Sequence, residues 1–303
     1  MFIIPANSAS SSQTQAIFAY GANADGEPVS MSNLVNGDGV VAADVTGVGT
    51  ARSRTAGANY GGDKGIFFGG NDGSARTGVS NLVSNLGVIA ADTSAVGTGR
   101  SGQAGTGYGD NLAVFAYGYE PSAEYGTIRN LVSSSGVIAS DATVAGGTGR
   151  NGTCGARYGT GTAIIAYGDS DASGRLSVSN LVNSSGAVSA DVSGVGTGRY
   201  GAASASYGGD KAFFAYGYSS AYLSVKNLVN NSGTVAADVT GVGTARSYTK
   251  AASLGSFQTA IVAYGRPGGM TNVSNLVNDS GVISADVTGV GTARQELGAT
   301  EFG

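Results

Sequence analysis

The chain has 303 residues, a single Cys, no His and no Trp, and a formal charge of −4 with only 12% charged residues. This excludes an intrachain disulfide and leaves no basic face to displace the counterions of a duplex, so nucleic acid is not an expected partner. Gly is abundant at 53 residues while Pro is only 4, which excludes collagen and Pro-rich linkers and places Gly at turns and strand ends, where a residue without Cβ is needed.

In chain order, residues 1–14 fall outside any repeat and are expected to form an N-terminal extension. The start, Met1-Phe2-Ile3-Ile4-Pro5, lacks the basic region and longer apolar core of a signal peptide. No apolar run approaches the roughly 18 residues of a spanning helix, so no membrane span is expected. From residue 15 onward one series of elements recurs, and residues 61 to 108 illustrate it. Gly61-Gly62-Asp63-Lys64 is a turn signal. Ile66-Phe67-Phe68 is a short apolar run stopped by Gly69-Gly70, which suits a strand buried on both faces. Asn71 to Thr77 is polar and irregular, and Val79 to Val83 is the next strand. After the turn Ser84 to Gly87 comes a third strand, Val88 to Asp92, then the loop Gly97-Thr98-Gly99-Arg100. A fourth strand of small residues, Ser101 to Tyr108, ends in an aromatic. Short strands with turns every 8–12 residues indicate an all-β fold.

The Asn-Leu-Val of this series starts at Asn33, Asn81, Asn130, Asn180, Asn227 and Asn275, at spacings of 48, 49, 50, 47 and 48 residues. A period near fifty suggests a β-propeller or array, and the count gives a six-bladed β-propeller with four antiparallel strands per blade over residues 15–303. The small-residue strand is expected innermost, where strands crowd. The first copy enters at the aromatic strand Ala16 to Tyr20 without its own inner strand, and the last runs past Arg294 to Phe302-Gly303. An aromatic or Leu sits eight residues after the Arg in the other copies, at Tyr60, Tyr108, Tyr158, Tyr207 and Leu254, so Phe302 completes the set. Residues 292–302 are therefore expected to complete the first blade and close the ring, removing two exposed sheet edges.

The order of Arg, small strand, turn, aromatic strand ending in Gly, loop, strand, turn and strand resembles the kelch repeat of β-propellers. Phe68-Gly69-Gly70 matches the kelch double Gly; the other copies have one Gly there, at Gly21, Gly118, Gly168, Gly217 and Gly265, and the kelch Trp is absent. The wording Gly-Gly-Asp-Lys-Ala-Phe-Phe-Ala-Tyr-Gly, Ser-Asn-Leu-Val-Asn and Ala-Asp-Val-Thr-Gly-Val-Gly-Thr-Ala-Arg resembles repeats in tail and fibre proteins of tailed bacteriophages. That resemblance implies a virion structural protein that contacts other virion proteins or a host-surface glycan.

Arg52, Arg100, Arg150, Arg199, Arg246 and Arg294 recur once per copy and are expected as a ring at one mouth of the channel. A guanidinium ring could hold an anion, but each Arg follows an Asp (Asp44, Asp92, Asp141, Asp191, Asp238, Asp286) by eight or nine residues, which favours internal ion pairs that brace the loops. The six Asn are read as bracing too, since a buried amide must hydrogen-bond. Cys154 replaces an Ala of the other copies and is expected to be a small buried residue. Asp169, Asp171 and Ser173 with Gly174 resemble the start of a calcium loop, but Asn180 stands where Glu should close it, so no metal is expected.

The loop after each aromatic-Gly differs in every copy, on the face that also carries the Gly-Thr-Arg loops. It supplies the candidate ligand- or partner-binding residues Tyr119, Glu120, Tyr125, Asp169, Arg175, Tyr218, Tyr222 and Arg266, types suited to binding on loops of a rigid scaffold. No nucleophile motif and no P-loop occur, and without His a general base is wanting. No catalytic residue and no cofactor are therefore expected. The favoured reading is a non-enzymatic virion component of the tail or fibre; a lectin-type glycan-binding propeller is the alternative, and a propeller glycosidase ranks below both.

Overall fold

The computed structural model describes residues 14–303, and their regular elements are all β-strands. The expected N-terminal extension, save Thr14, lies outside the described residues. The chain begins with β1 (Thr14–Ala19) and β2 (Ser32–Asn36). A second sheet follows with β3 (Ala56–Tyr60), β4 (Lys64–Phe68) and β5 (Ser80–Val83), and a third with β6 (Ala104–Tyr108), β7 (Leu112–Ala116), β8 (Ile128–Val132) and the two-residue β9 (Ala142–Thr143). The fourth holds β10 (Cys154–Tyr158), β11 (Thr162–Ser170) and β12 (Gly174–Val182), the fifth β13 (Ala203–Tyr207), β14 (Lys211–Tyr218) and β15 (Tyr222–Val229), and the sixth β16 (Lys250–Leu254), β17 (Thr259–Gly265) and β18 (Thr271–Val277). The last strand, β19 (Gly298–Glu301), pairs antiparallel with β1 in the register Ala16↔Glu301 to Ala19↔Gly298, so the first sheet has the order β19-β1-β2. All six sheets are small and antiparallel, and no helix among the described residues is long and apolar enough to cross a membrane.

The first strand of each sheet carries small residues because its backbone meets that of the next sheet. A Cβ on Gly57 would sit 2.1 Å from the Ala299 carbonyl oxygen, and one on Gly105 would sit 2.4 Å from that of Gly57. The first strands neighbour one another in the order β3, β6, β10, β13, β16, β19, and β19 neighbours β3. The bulk comes from the second strands, whose side chains are buried on both faces: Ile17, Phe18, Phe67, Phe68, Phe213 and Phe214 are all 0% exposed. Alternate residues of one such strand pack against opposite neighbours, so the core divides into six clusters, each between two consecutive sheets. Ile17 and Tyr20 meet Phe67 of the second sheet, while Phe18 meets Ile261 and Tyr264 of the sixth.

The fourth strand departs from expectation. Only the third sheet has one, and it is two residues long; the outer segments of the other sheets touch the third strand at isolated bridges such as Val35↔Val41 and Ser32↔Val45. The outer partners lie four positions apart where their third-strand partners lie three apart, here and at Val83↔Ile89 with Ser80↔Thr93. The extra residue is a β-bulge, which interrupts the ladder and re-aims a side chain. That side chain is the recurring Asp.

Candidate functional site

The recurring polar residues form one module per sheet. In the second sheet the Arg52 guanidinium donates to Asn81 Oδ1, and Asn81 Nδ2 donates to Asp92 Oδ1 at 2.8 Å and to the Ala90 carbonyl at 3.0 Å. Thr50 donates its backbone N–H and its hydroxyl to Asp92 Oδ2 at 2.9 and 2.6 Å, and Arg52 Nη1 lies 3.6 Å from Asp92 Oδ1. The guanidinium stacks 4.1 Å over the Tyr20 ring of the preceding sheet. Arg150, Arg199, Arg246 and Arg294 repeat this on Tyr117, Tyr167, Tyr216 and Tyr264, with ion pairs to Asp191, Asp238, Asp286 and Asp44. Arg294, near the C-terminus, thus locks to Asn33 and Asp44 near the start.

Two expectations change here. All six Arg are 0% exposed, so they lie between sheets and not open at a mouth. The ion-pair partner is the Asp of the same sheet, one repeat further along the chain, and not the Asp eight or nine residues before, because the Arg opens the inner strand of the next sheet. Burial alone would raise the Asp44 carboxyl, but the hydrogen bonds from Thr292 and Asn33 and the Arg294 charge outweigh it and hold it below the usual carboxylate value. The same balance holds Asp92, Asp141, Asp191, Asp238 and Asp286 down. Cys154 is buried as expected, and burial pushes its thiol up to about 11.

The third sheet breaks the module. Gly69 stands where the other copies have Tyr, and Arg100 lies 5.0 Å over Phe68 instead. Gln103 fills the gap and donates to the Phe68 carbonyl at 2.7 Å. Arg100 has no carboxylate within 4.0 Å among the described residues, its Nε and the Asn130 Oδ1 lack partners, and burial brings its pKa down to about 10.

Two residues beyond each Arg the copies diverge: Arg54, Gly102, Gly152, Gly201, Tyr248 and Glu296. All six adopt positive φ, between 52° and 68°. Five backbone hydrogen bonds run through them: Glu296 donates to Tyr248, Arg54 to Glu296, Gly102 to Arg54, Gly152 to Gly102 and Gly201 to Gly152, at 2.7–3.2 Å. Glycine suits this conformation, whereas an L side chain there costs roughly 1–2 kcal/mol. The three residues that are not Gly belong to the consecutive sixth, first and second sheets, and their side chains converge. Arg54 Nε lies 3.0 Å from Glu296 Oε1, and the Arg54 guanidinium sits 5.9 Å from the Tyr248 ring. Lys250 lies beneath them, beside a cavity of about 30 Å³. Tyr20, Tyr117, Tyr167, Tyr216 and Tyr264 carry the same positive φ under the buried Arg, so what sets Arg54, Tyr248 and Glu296 apart is their departure from Gly and their contact with one another.

An aromatic row leads outward from this mouth. Ring centroids are 5.6 Å apart for Tyr248 and Tyr200, 5.7 Å for Tyr200 and Tyr218, and 5.2 Å for Tyr218 and Tyr222. The Arg175 guanidinium sits 5.7 Å from the Tyr200 ring and 5.6 Å from the Tyr218 ring. Bridges Tyr200↔Tyr218, Asn151↔Asp169 and Ser247↔Arg266 place the variable loops beside the Arg loops, on one face. The chain matches no protein-family model and no curated protein.

Of the residues singled out by sequence, Arg175, Tyr218 and Tyr222 therefore share one site. Tyr119 and Tyr125 form a separate pair with ring centroids 6.4 Å apart, and Arg76 stacks on Tyr119 at 3.7 Å. Glu120 is only 7% exposed, packed against Gly126, and burial raises its pKa; it faces protein. Arg266 is exposed on the sixth sheet, with its backbone bridged to Ser247, the residue before Tyr248. The stretch that resembled a calcium loop is the tip of a hairpin, with Asp169 paired to Arg175 and Ser170 to Gly174. Among the described residues no group of three or more His, Cys, Asp or Glu could hold a metal. Arg54, Tyr200, Tyr248 and Glu296 were missed; aligning the copies on their Arg would have exposed three of them as the departures from Gly.

Proposed function

We infer that the chain is a closed six-bladed kelch-like β-propeller acting as a non-catalytic binding scaffold, with its ligand held on the face of the variable loops. The ring is supported by the pairing of β19 with β1, by the cyclic order of the inner strands and by the Arg294–Asp44 lock. Deleting residues 292–303 should expose the β1 edge and orphan Asn33 and Asp44, lowering the melting temperature sharply; an unchanged melt and a monomer would refute closure.

The binding role is carried by one observation: Arg54, Tyr248 and Glu296 keep strained side chains where Gly serves in the other three copies, and those side chains touch. A rigid backbone that holds half-buried Tyr and exposed Arg side chains fits recognition. The resemblance to tail and fibre repeats supports reading the protein as a virion component of a tailed bacteriophage that contacts another virion protein or the host surface. Mass spectrometry of purified particles tests this, and absence of the chain would end the virion reading. A lectin-type propeller outside any particle is the second reading, favoured by the tyrosine row.

A further inference from the structure

We propose that the row Tyr222, Tyr218, Tyr200 and Tyr248 takes an acidic glycan, with sugar rings laid on the tyrosines and a carboxylate received by Arg175. This deepens the reading above and rests on it, since it assigns a ligand class to the same face.

The first argument is the state of Arg175. It is exposed, held over two rings at 5.6 and 5.7 Å, and has no carboxylate within 4.0 Å among the described residues. Its side chain donates no hydrogen bond to the described residues. Stacking holds the cation in place and leaves its planar fork of donors free in the ring-edge direction, where a carboxylate is gripped by two parallel bonds. Nearby Arg54 is different, because Glu296 already takes its charge at 3.0 Å. Asp169 faces Arg175 across the hairpin without reaching ion-pair distance, so Arg175 is an unpaired cation beside the row and its complement is an anion.

The second argument is the shape of the row. Four half-buried tyrosines spaced 5.2–5.7 Å apart run from the rim to the mouth. Each ring face is electron-rich and packs well against polarised C–H groups, which a pyranose presents on its flatter side, while the phenol hydroxyls reach sugar hydroxyls. A peptide needs either a pocket for an anchoring side chain or a free sheet edge. The cavity at the mouth, about 30 Å³, holds little more than a water molecule. The backbone of the row is already paired, Tyr200 with Tyr218 and Tyr218 with Tyr222. An open aromatic strip with the unpaired Arg175 over two of its rings thus favours a chain of carboxylated sugars over an acidic peptide.

The test is binding of the full chain to immobilised polygalacturonate, polysialate and hyaluronate, beside methyl-esterified polygalacturonate and poly-L-glutamate. Arg175→Gln and Tyr218→Leu are compared with the parent, with thermal melts to verify folding. The expected result is binding to at least one acidic polysaccharide, weakened by salt and lowered about tenfold or more by Arg175→Gln, as for loss of a charged hydrogen-bonded pair. Tyr218→Leu should weaken it too, and the methyl ester should bind at least about tenfold more weakly than polygalacturonate if that is the acid bound. Equal binding of acid and ester forms, or no binding to any of the three acids, overturns the proposal. Preferential binding of poly-L-glutamate that Tyr218→Leu abolishes also overturns it, yet leaves the face as the binding site. Binding that neither variant disturbs overturns the proposal and the choice of face together.

Discussion

In every sheet one loop holds both a buried Arg and, two residues later, a residue of the mouth. The six buried positions are all Arg, and five of them make the same stack, hydrogen bond and ion pair. The six mouth positions keep one backbone conformation but hold four residue types. Repetition follows from the surroundings. A guanidinium without solvent must find an acceptor and a counter-charge, so each sheet supplies the same Asn and Asp. At the mouth the backbone alone is constrained, and Gly would satisfy it everywhere. A side chain there adds strain and is explained by what it touches.

The sharpest way to break this comparison is to damage a buried module. Arg199→Met should lower stability by about 3–5 kcal/mol in urea unfolding, because Asp238 and Asn227 lose the cation that pairs with them. Arg100→Met should cost only about 1 kcal/mol, since Arg100 already lacks its ion pair and gives up only hydrogen bonds to the Phe115 and Thr98 carbonyls. Equal losses would mean that the module is no more than packing.

Acid should act on the buried set as well. The six recurring Asp carboxyls are held below their ordinary value of 3.8. Their contribution is complete above that value and is lost as pH falls through the lower folded values. Glu120 and Glu301 are raised by burial, so ionising them opposes folding as pH climbs above 4.5. Stability should therefore peak on the mildly acidic side and fall steeply below about pH 4. A melting temperature that keeps rising down to pH 3 would contradict the Asp assignment.

A smaller effect would sharpen the contrast with the third sheet. Gly69→Tyr alone should destabilise, because its Cβ would lie 2.3 Å from Gln103 Nε2 and 2.6 Å from the Arg100 carbonyl oxygen, and only the first contact is relieved by shortening Gln103. Combined with Gln103→Thr, matching Thr55, Thr153 and Thr249, it should restore the stack on Arg100 and recover about 1 kcal/mol relative to the single variant. The test is a pair of denaturant melts.

Much of this was legible in the chain. The period gave the number of sheets, and the eight-residue spacing from Arg294 to Phe302 gave the pairing of β19 with β1. Residue identity could not reveal which Asp an Arg meets, because the Arg opens a new sheet and its partner arrives about forty residues later. The fourth strand was overread for a related reason: Val41 to Val45 has strand-like residues, but its Asp turns inward and bulges the segment. At the site, Tyr218, Tyr222 and Arg175 stood out as loop residues, whereas Tyr200 and Tyr248 were hidden beside the repeating Arg. Strain was invisible until φ was known.

The most direct measurement replaces the three unlike mouth residues together, as Arg54→Gly, Tyr248→Gly and Glu296→Gly, and records melting temperature and polysaccharide binding on the same sample. Relief of strain offsets the lost contacts, so the melting temperature should stay within about 3 °C while binding falls away. A melt lowered by ten degrees or so, or binding that survives intact, would contradict the division between a structural ring and a functional mouth.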